Sequence, residues 1–456
     1  MIGSKKPRRV NGPGQYYTVA ALYAVFGEDL AVSRAMHVLL LALWAVAVAV
    51  SAFTMSRQSI SVAAVAALAF TFGAAFASPN ATYPAIPAAL LLVASTWGLA
   101  CWFATKAAPP LLAASLTVGV AALYRWDFGA FGLFSLGVTV LVVHADLRST
   151  LRAAARDLML LTGPCFLLIA AVFGPLLYAG DWQRWFEEVP FFMTREFAKW
   201  RALSLVEPTL TRIAESWAAG DGFGSARAAF RLIFVATPFF LIAATGVRIV
   251  SRVRQGPNAL QRTDVLALVT ALLALCLLNQ LRIRTHLWQG FPAFAVSLPL
   301  LGYLFQGSVI RVVFSRRHAH AIGLAVVVLV LVLLPFYLIK DGVRDGLTGK
   351  WVQLHLPRAS AAQIPRWLDK RGEWRAYSEM VDLIRANTAP NEPIFSGVQD
   401  TSRLVLNDAL LYFIADRPSA TRGVEMEPGL TNTPTGQQEL IEVIERSKVR
   451  VLLRIT

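Results

Sequence analysis

Cysteine is scarce in this sequence, and its placement excludes two kinds of cross-linked scaffold. The chain has three cysteines, Cys101, Cys165 and Cys276, and each lies inside an apolar stretch far from the other two. A disulfide framework or a zinc site needs cysteines in a paired set or at short, regular spacings. We therefore predict that all three are core residues.

Charge is also scarce, and acidic charge most of all. Charged residues make up 16% of the chain, hydrophobic residues 56%, and the mean hydropathy is +0.54. This composition is too apolar for a soluble domain of such length. The 43 Lys and Arg outnumber the 28 Asp and Glu, which gives a formal net charge of +15. Because the arginines occur in separate clusters, with no basic face carrying interleaved aromatics, we expect membrane lipid as a partner and no nucleic acid.

Long apolar runs are what the sequence has in abundance. About ten of them approach the width of the hydrocarbon core of a bilayer, which predicts an α-helical polytopic membrane protein. The fourth and fifth runs are short and predict either a pair of abbreviated helices or one re-entrant unit. The predicted spans are 36–55, 60–77, 84–105, 109–124, 128–143, 158–177, 232–247, 265–281, 287–305 and 321–339.

Arginines collect in every second connection between these spans. The clusters lie at 148–156, 248–262 and 311–317, and Arg57 and Lys106 fall on the same side. Loops rich in Lys and Arg stay in the cytoplasm, so this alternation predicts the orientation of the chain. The segments expected on the extracytoplasmic side are 1–35, 78–83, 125–127, 180–231, 282–286 and everything after 340.

The N-terminal end breaks this rule. Lys5, Lys6, Arg8 and Arg9 are placed outside, and the region has no n-region and h-region of a signal peptide. We expect that an upstream helix precedes this chain; the alternative is a genuine N-terminus that is translocated with the first span.

The segment 341–456 is polar and differs from the rest. Helical periodicity at 377–386 and 438–447, together with strand-like runs at 393–396 and 449–455, predicts a small C-terminal extracytoplasmic α/β domain. The expected organisation is an extracytoplasmic loop with an interfacial helix (1–35), a transmembrane domain (36–340) and this α/β domain (341–456).

Several polar groups on the predicted outer side are candidates for chemistry. An Asp beside apolar spans is costly unless it is paired, so Asp127 is either a functional acid or base, or the partner of Arg125 in a self-neutralising pair. Arg282, Arg284 and His286 share a very short loop, where they form either a phosphate-binding cluster or an ordinary membrane anchor.

The segment 180–231 mixes aromatic and charged residues, which is typical of helices at the membrane interface. Glu187 and Glu188 are candidate acids there, although a solvated face explains them as well. The sequence shows no cluster of histidines that indicates a metal site outside the membrane, so metal dependence is open.

The N-terminal segment Asn11-Gly12-Pro13-Gly14-Gln15-Tyr16-Tyr17 is rich in turn-forming residues and leads into a run that predicts an amphipathic interfacial helix. A membrane-surface anchor explains it from physics alone. With Phe26-Gly27 and Arg34 it also resembles the first extracytoplasmic loop of the C-type integral membrane glycosyltransferases. This superfamily includes the protein O-mannosyltransferases and the bacterial lipid A aminoarabinose transferases.

Two more stretches carry the resemblance across nearly the whole chain. Arg282–Leu287 followed by Gly290-Phe291-Pro292-Ala293 resembles the Arg, His-Leu and Pro-Ala signature at the head of a late helix in that family. The tail resembles the soluble domain of one bacterial branch. The tail motifs are Asn407–Phe413, Asp416-Arg417-Pro418, Thr421-Arg422, Pro428-Gly429 and Gln438-Glu439.

The resemblance implies an enzyme of the bacterial plasma membrane that is active on the extracytoplasmic side. It would take a sugar from a polyprenyl-phosphate donor and pass it to a glycan, lipid or protein acceptor. It also implies that Arg282, Arg284, His286 and Arg125 bind the donor phosphate. The family's long outer loop binds donor and acceptor, which assigns that role to Glu187, Glu188 and Arg201.

One departure concerns the catalytic base. The family presents an aspartate in the first outer loop, where this sequence has Lys6-Pro7-Arg8-Arg9-Val10 and no carboxylate before Asn11. The 456-residue chain is therefore expected to be a poor catalyst unless Asp127 substitutes as the base. One alternative is an inactive fragment or pseudoenzyme of the family. A secondary transporter is less favoured, because a transporter needs charged or broken segments inside the membrane and these spans carry few interior charges.

Overall fold

The structure is a computed structural model. It describes residues 13–27, 30–77, 84–178, 222–283, 287–306 and 373–398, together with short stretches within 211–220 and 405–455. The predicted tenth span at 321–339 lies outside the described residues.

The described part of the chain is mostly helical. Its membrane-region helices are α1 (Pro13–Phe26), α2 (Leu30–Met55), α3 (Ile60–Ala77), α4 (Ala85–Thr105), α5 (Ala108–Tyr124), α6 (Trp126–Asp146), α7 (Leu151–Tyr178), α8 (Gly222–Val253), α9 (Arg262–Ile283), α10 (Leu287–Ser297) and α11 (Leu300–Phe305).

Six of these helices are long and apolar enough to cross a membrane. Three shorter apolar helices accompany them, at Ile60–Ala74, Ala108–Tyr124 and Gln289–Phe305. The chain is thus a polytopic helical membrane protein, while the number of ten spans stays a prediction. The spanning segments are Ala35–Met55, Ala85–Thr105, Trp126–Asp146, Leu151–Pro175, Arg231–Val253 and Arg262–Gln280.

Two sequence-based expectations about local structure, the short fifth span and the amphipathic N-terminal helix, are wrong, and one open alternative is decided. The fifth span is not abbreviated: α6 has 21 residues because the helix continues through His144 and Asp146, whose polar side chains find partners. Helices α5 and α6 are also two separate helices rather than one re-entrant unit. Finally, α1 is apolar around its whole circumference and not on one face only, since small and apolar residues fill almost every position after Tyr17.

Aromatic and small side chains pack the bundle. Trp44, Phe70 and Phe291 form a buried aromatic group from three helices, with ring centroids 5.5, 5.4 and 5.3 Å apart. Close approach depends on glycine: a Cβ on Gly98 would lie 2.9 Å from the carbonyl oxygen of Pro110 in α5. Inside a membrane no hydrophobic driving force brings helices together, so they associate through close packing. Small residues at the contact make that close packing possible.

The basic connections that the structure describes lie together at one end of the bundle. Both Asp146 carboxylate oxygens accept hydrogen bonds from the backbone N–H groups of Ala259 and Leu260, at 3.3 and 3.4 Å. Arg262 donates to the Cys101 sulfur at 3.3 Å. Burial lowers the pKa of Lys106, and the nearby carboxylates of Asp157 and Asp146 raise it in partial compensation. The arginine clusters at 148–156 and 248–262 therefore lie at one end of the bundle, and the cluster at 311–317 lies outside the described residues.

Which compartment this basic end faces stays a prediction from the arginine bias. Reporter fusions after Arg254 and after Lys350 are expected to report opposite sides of the membrane, with Arg254 in the cytoplasm. A matched fusion after Arg148 should agree with the one after Arg254. If Arg254 and Lys350 report the same side, the orientation is wrong.

In the tail, two helices and four short strands are described: α12 (Glu373–Asn387), β1 (Phe395–Val398), β2 (Val405–Leu406), β3 (Glu425–Met426), α13 (Pro434–Arg446) and β4 (Leu452–Ile455). Strands β1 and β4 pair in parallel with Phe395 opposite Leu452, and β2 pairs antiparallel with β3. Helices and strands thus occur close to where periodicity placed them. That they form a separate extracytoplasmic domain stays a prediction.

Candidate functional site

A largely buried polar cluster lies at the end of the bundle opposite the basic loops. The guanidinium of Arg125 donates to both carboxylate oxygens of Asp127, from Nε at 3.0 Å and from NH2 at 2.5 Å. Gln280, at the end of α9, donates from Nε2 to Asp127 Oδ2 at 2.6 Å and accepts from Arg125 NH2 at 3.1 Å. Three side chains from two distant parts of the chain therefore form one closed network.

The backbone at the α5–α6 junction creates this arrangement. Arg125 is extended, with φ −147° and ψ 111°, so it ends α5 and caps the start of α6. Its N–H donates to the Ala121 carbonyl and its carbonyl accepts from the Gly129 N–H. A Cβ on Gly129 would lie 2.3 Å from the Ala122 Cβ, so only glycine allows the two helices to fold back so closely. Asp127 lies in the first turn of α6, where the helix dipole favours negative charge.

Burial makes the cluster more than a surface pair. The side chains of Arg125 and Asp127 are 12% and 16% exposed, and Gln280 is 4% exposed. The guanidinium also lies 4.7 Å from the centroid of the Phe128 ring. A buried charge needs both a counter-ion and hydrogen bonds, and each charge of the cluster has both. Asp127 Oδ1 accepts one of these hydrogen bonds and Oδ2 accepts two, so Oδ1 keeps the greater capacity to accept a further proton.

Helix α1 packs beside the same junction. Thr18 Oγ1 and the Tyr124 hydroxyl share a hydrogen bond of 2.7 Å. A Cβ on Gly14 would lie 3.0 Å from the backbone of Leu123, so the glycine permits α1 to contact the end of α5 directly. Gln15 is buried next to Gly14, and its Oε1 has no hydrogen-bond partner among the described residues. The start of α1 therefore contacts Tyr124, the residue that immediately precedes Arg125 in the chain.

Helix α9 brings the third predicted element to this end. Arg282 follows Gln280 by two residues on the same helix, an axial rise of about 3 Å. The backbone thus places Arg282 at the same end of the bundle as Arg125 and Asp127. Arg284 and His286 lie outside the described residues, as do Glu187, Glu188 and Arg201, so their roles stay predictions.

Comparison with known proteins shows a distant likeness. No protein-family model matches the chain, and no curated protein sequence matches it. Among solved structures, the chain is similar to the crystal structure of ArnT from Cupriavidus metallidurans bound to undecaprenyl phosphate. The two are 16% identical, the alignment covers 98% of this chain and 79% of that one, and the TM-score is 0.43. A likeness at this level is too distant to assign a family or an activity.

Sequence reasoning found two members of the cluster and missed the third. Arg125 and Asp127 form the ion pair that was one of the two interpretations of their spacing. Gln280 was overlooked because it is uncharged and ends an otherwise apolar span. An amide inside a membrane helix is itself a signal, since it must find a hydrogen-bond partner in the bundle.

Other titratable groups gather at the basic end. His144 Nε2 lies 3.2 Å from Asp157 Oδ2, and Arg156 pairs with Asp157 Oδ1 at 2.8 Å. Tyr303 donates to Asp264 Oδ1 at 2.6 Å. Within the described part of the chain, no three His, Cys, Asp or Glu side chains come together in a way that could hold a metal ion. The Arg125–Asp127–Gln280 cluster is thus the candidate site at the opposite end.

Proposed function

We propose that the chain is a glycosyltransferase that moves a sugar from a polyprenyl-phosphate donor to an acceptor on the extracytoplasmic side. One observation supports this most. Two segments that resemble motifs of the C-type membrane glycosyltransferases, at the start of α1 and at the end of α9, are far apart in sequence. Thr18, just after the first segment, bonds to Tyr124, and Gln280, two residues before the second, bonds to Arg125, which supports placing both segments at one end of the bundle.

In the proposed reaction the acceptor hydroxyl attacks the anomeric carbon of the donor sugar. The new C–O bond forms as the bond from that carbon to the phosphate oxygen breaks, with inversion, and the lipid phosphate leaves with the electron pair. Asp127 takes the proton of the acceptor hydroxyl as general base. Arg282, Arg284 and His286 hold the negative charge that develops on the phosphate, where preorganised cations stabilise the transition state.

Arg125 has two roles in this scheme. Before donor binding it neutralises Asp127 in a largely buried pair. A phosphate that binds at the same end competes for the guanidinium, which favours planar bidentate contacts with oxyanions. Transfer of Arg125 to the donor phosphate frees an oxygen of Asp127 for the acceptor hydroxyl. In this scheme Asp127 becomes available as a base only after the donor has bound.

The acceptor is assigned to the segment 180–231. Glu187, Glu188 and Arg201 would contact the sugar or the acceptor there, as the family resemblance implies. In this scheme the arginines supply positive charge at the donor phosphate.

The test uses purified protein in lipid nanodiscs with polyprenyl-phosphate mannose and polyprenyl-phosphate aminoarabinose as donors. A cell-envelope extract supplies acceptors, and free polyprenyl phosphate is measured because every donor of this class releases it. The proposal expects release above that from empty nanodiscs and from a variant with Arg125→Ala and Arg282→Ala together. Release from neither donor, or accumulation of a labelled solute inside proteoliposomes without release, would contradict it and favour an inactive relative or a transporter.

A further inference from the structure

We infer that Gln280 is a positioning residue that fixes Asp127 and Arg125 relative to each other and holds Asp127 in place when Arg125 moves. This inference rests on the proposed function. It assigns a specific task to a residue that the family resemblance does not single out.

The geometry of Gln280 is that of a two-way clamp. Its amide donates to the carboxylate of Asp127 at 2.6 Å and accepts from the guanidinium of Arg125 at 3.1 Å. An uncharged amide can do both at once without adding charge. The acceptor of the bond from Gln280 is a carboxylate, so this hydrogen bond is charge-assisted.

Burial makes the clamp rigid. Gln280 is 4% exposed, and it lies on α9, a helix that packs against α4, α6, α8 and α10. The side chain therefore cannot exchange its partners for water, as an exposed glutamine would. When Arg125 turns to a donor phosphate, Asp127 keeps one hydrogen bond from Gln280 on Oδ2. Oδ1, which Arg125 Nε occupied, becomes the oxygen that accepts the proton.

The same helix carries Arg282 two residues further on. The position of Asp127 is thus tied to the segment that is proposed to hold the donor phosphate. A base and a leaving-group site that share one rigid element keep a constant spacing, and misplacement by about 1 Å can reduce turnover about a hundredfold.

The first variant, Gln280→Leu, removes both hydrogen bonds and keeps a similar volume. We expect kcat to fall about tenfold to a hundredfold while the KM for the donor changes less than about threefold, because positioning of the base affects the chemical step. Thermal unfolding of the purified variant shows whether the bundle remains folded.

The second variant, Gln280→Glu, tests the two hydrogen bonds of Gln280 by comparing one protein with itself at different pH values, so a constant loss from imperfect folding does not affect the result. A protonated glutamic acid donates to Asp127 and accepts from Arg125 as the amide does. Once ionised, it cannot donate and it repels Asp127, so activity is present at low pH and lost as pH rises through the pKa of the introduced carboxyl. Among the described residues, the charged groups that face the side chain at position 280 are Arg125 and Asp127.

We expect the ratio of variant to wild-type kcat to fall about tenfold between about pH 5 and about pH 8. Gln255→Glu, an exposed change at the opposite end of the bundle, should keep a constant ratio. Wild-type turnover with a pH-independent ratio and an unchanged kcat for Gln280→Leu would overturn the positioning role and leave the glycosyltransferase intact. No turnover by the wild type overturns both.

Discussion

Asp127→Asn is expected to lower kcat for sugar transfer by about a hundredfold to ten-thousandfold, the usual effect of losing a positioned general base. Asparagine keeps the shape of the side chain and still accepts a hydrogen bond from Arg125, but it cannot take a proton. The measurement is release of polyprenyl phosphate under single-turnover conditions, which separates the chemical step from product release.

A structural explanation for such a loss has its own test. Asp127 also neutralises a largely buried guanidinium, and removing one partner of a buried pair is often strongly destabilising. The double variant Arg125→Gln with Asp127→Asn removes both charges and restores neutrality. If the loss comes only from an unpaired guanidinium, Asp127→Asn should unfold well below the wild-type temperature and the double variant should restore that temperature; the base assignment expects Asp127→Asn to lose the chemical step while it stays folded.

Asp157→Asn is a matched control for the same experiment. Asp157 is also a buried carboxylate paired with an arginine, Arg156, but it lies at the basic end beside His144. The proposal expects this variant to keep the wild-type chemical step even where its unfolding temperature falls. Equal loss of turnover in Asp127→Asn and Asp157→Asn would show that charge burial, rather than proton transfer, explains the effect.

The helical framework was readable from the sequence because the membrane restricts the backbone to helices with internal hydrogen bonds. Long apolar runs therefore predicted α2, α4, α7, α8 and α9. The length of α6 was underestimated because His144 and Asp146 resemble a loop. They stay helical because Asp157 and the backbone at Ala259 and Leu260 provide partners that a one-dimensional pattern cannot show.

The candidate site was readable only where its members are close in sequence. Arg125 and Asp127 are two residues apart, so local charge pairing predicted their contact. Gln280 is separated from them by more than 150 positions, and its contact depends on how α9 packs against α6. Periodicity identifies the face of a helix that is apolar, but it does not identify which distant helix supplies the hydrogen-bond partner of an amide.

Arg282→Ala is expected to weaken binding of the lipid phosphate strongly and to leave the fold intact. A hydrogen bond to a charged group contributes about 1.5–3 kcal/mol, and each 1.4 kcal/mol is tenfold in affinity. Loss of one such bond therefore predicts about tenfold to 150-fold weaker binding. The physical reason is position: α9 ends at Ile283, so Arg282 lies in the last turn, at the same end as Arg125 and Asp127.

Binding is measured with polyprenyl phosphate and with polyprenol of the same chain length, both in nanodiscs of neutral lipid. If Arg282 recognises phosphate, only the affinity for polyprenyl phosphate should fall, and the affinity for polyprenol should stay the same. Arg152→Ala is the matched control, because Arg152 is an exposed arginine in the first turn of α7 at the basic end. Unchanged affinity in Arg282→Ala, or an equal fall in both variants, would identify Arg282 as a membrane anchor and return the donor phosphate to Arg125, Arg284 and His286.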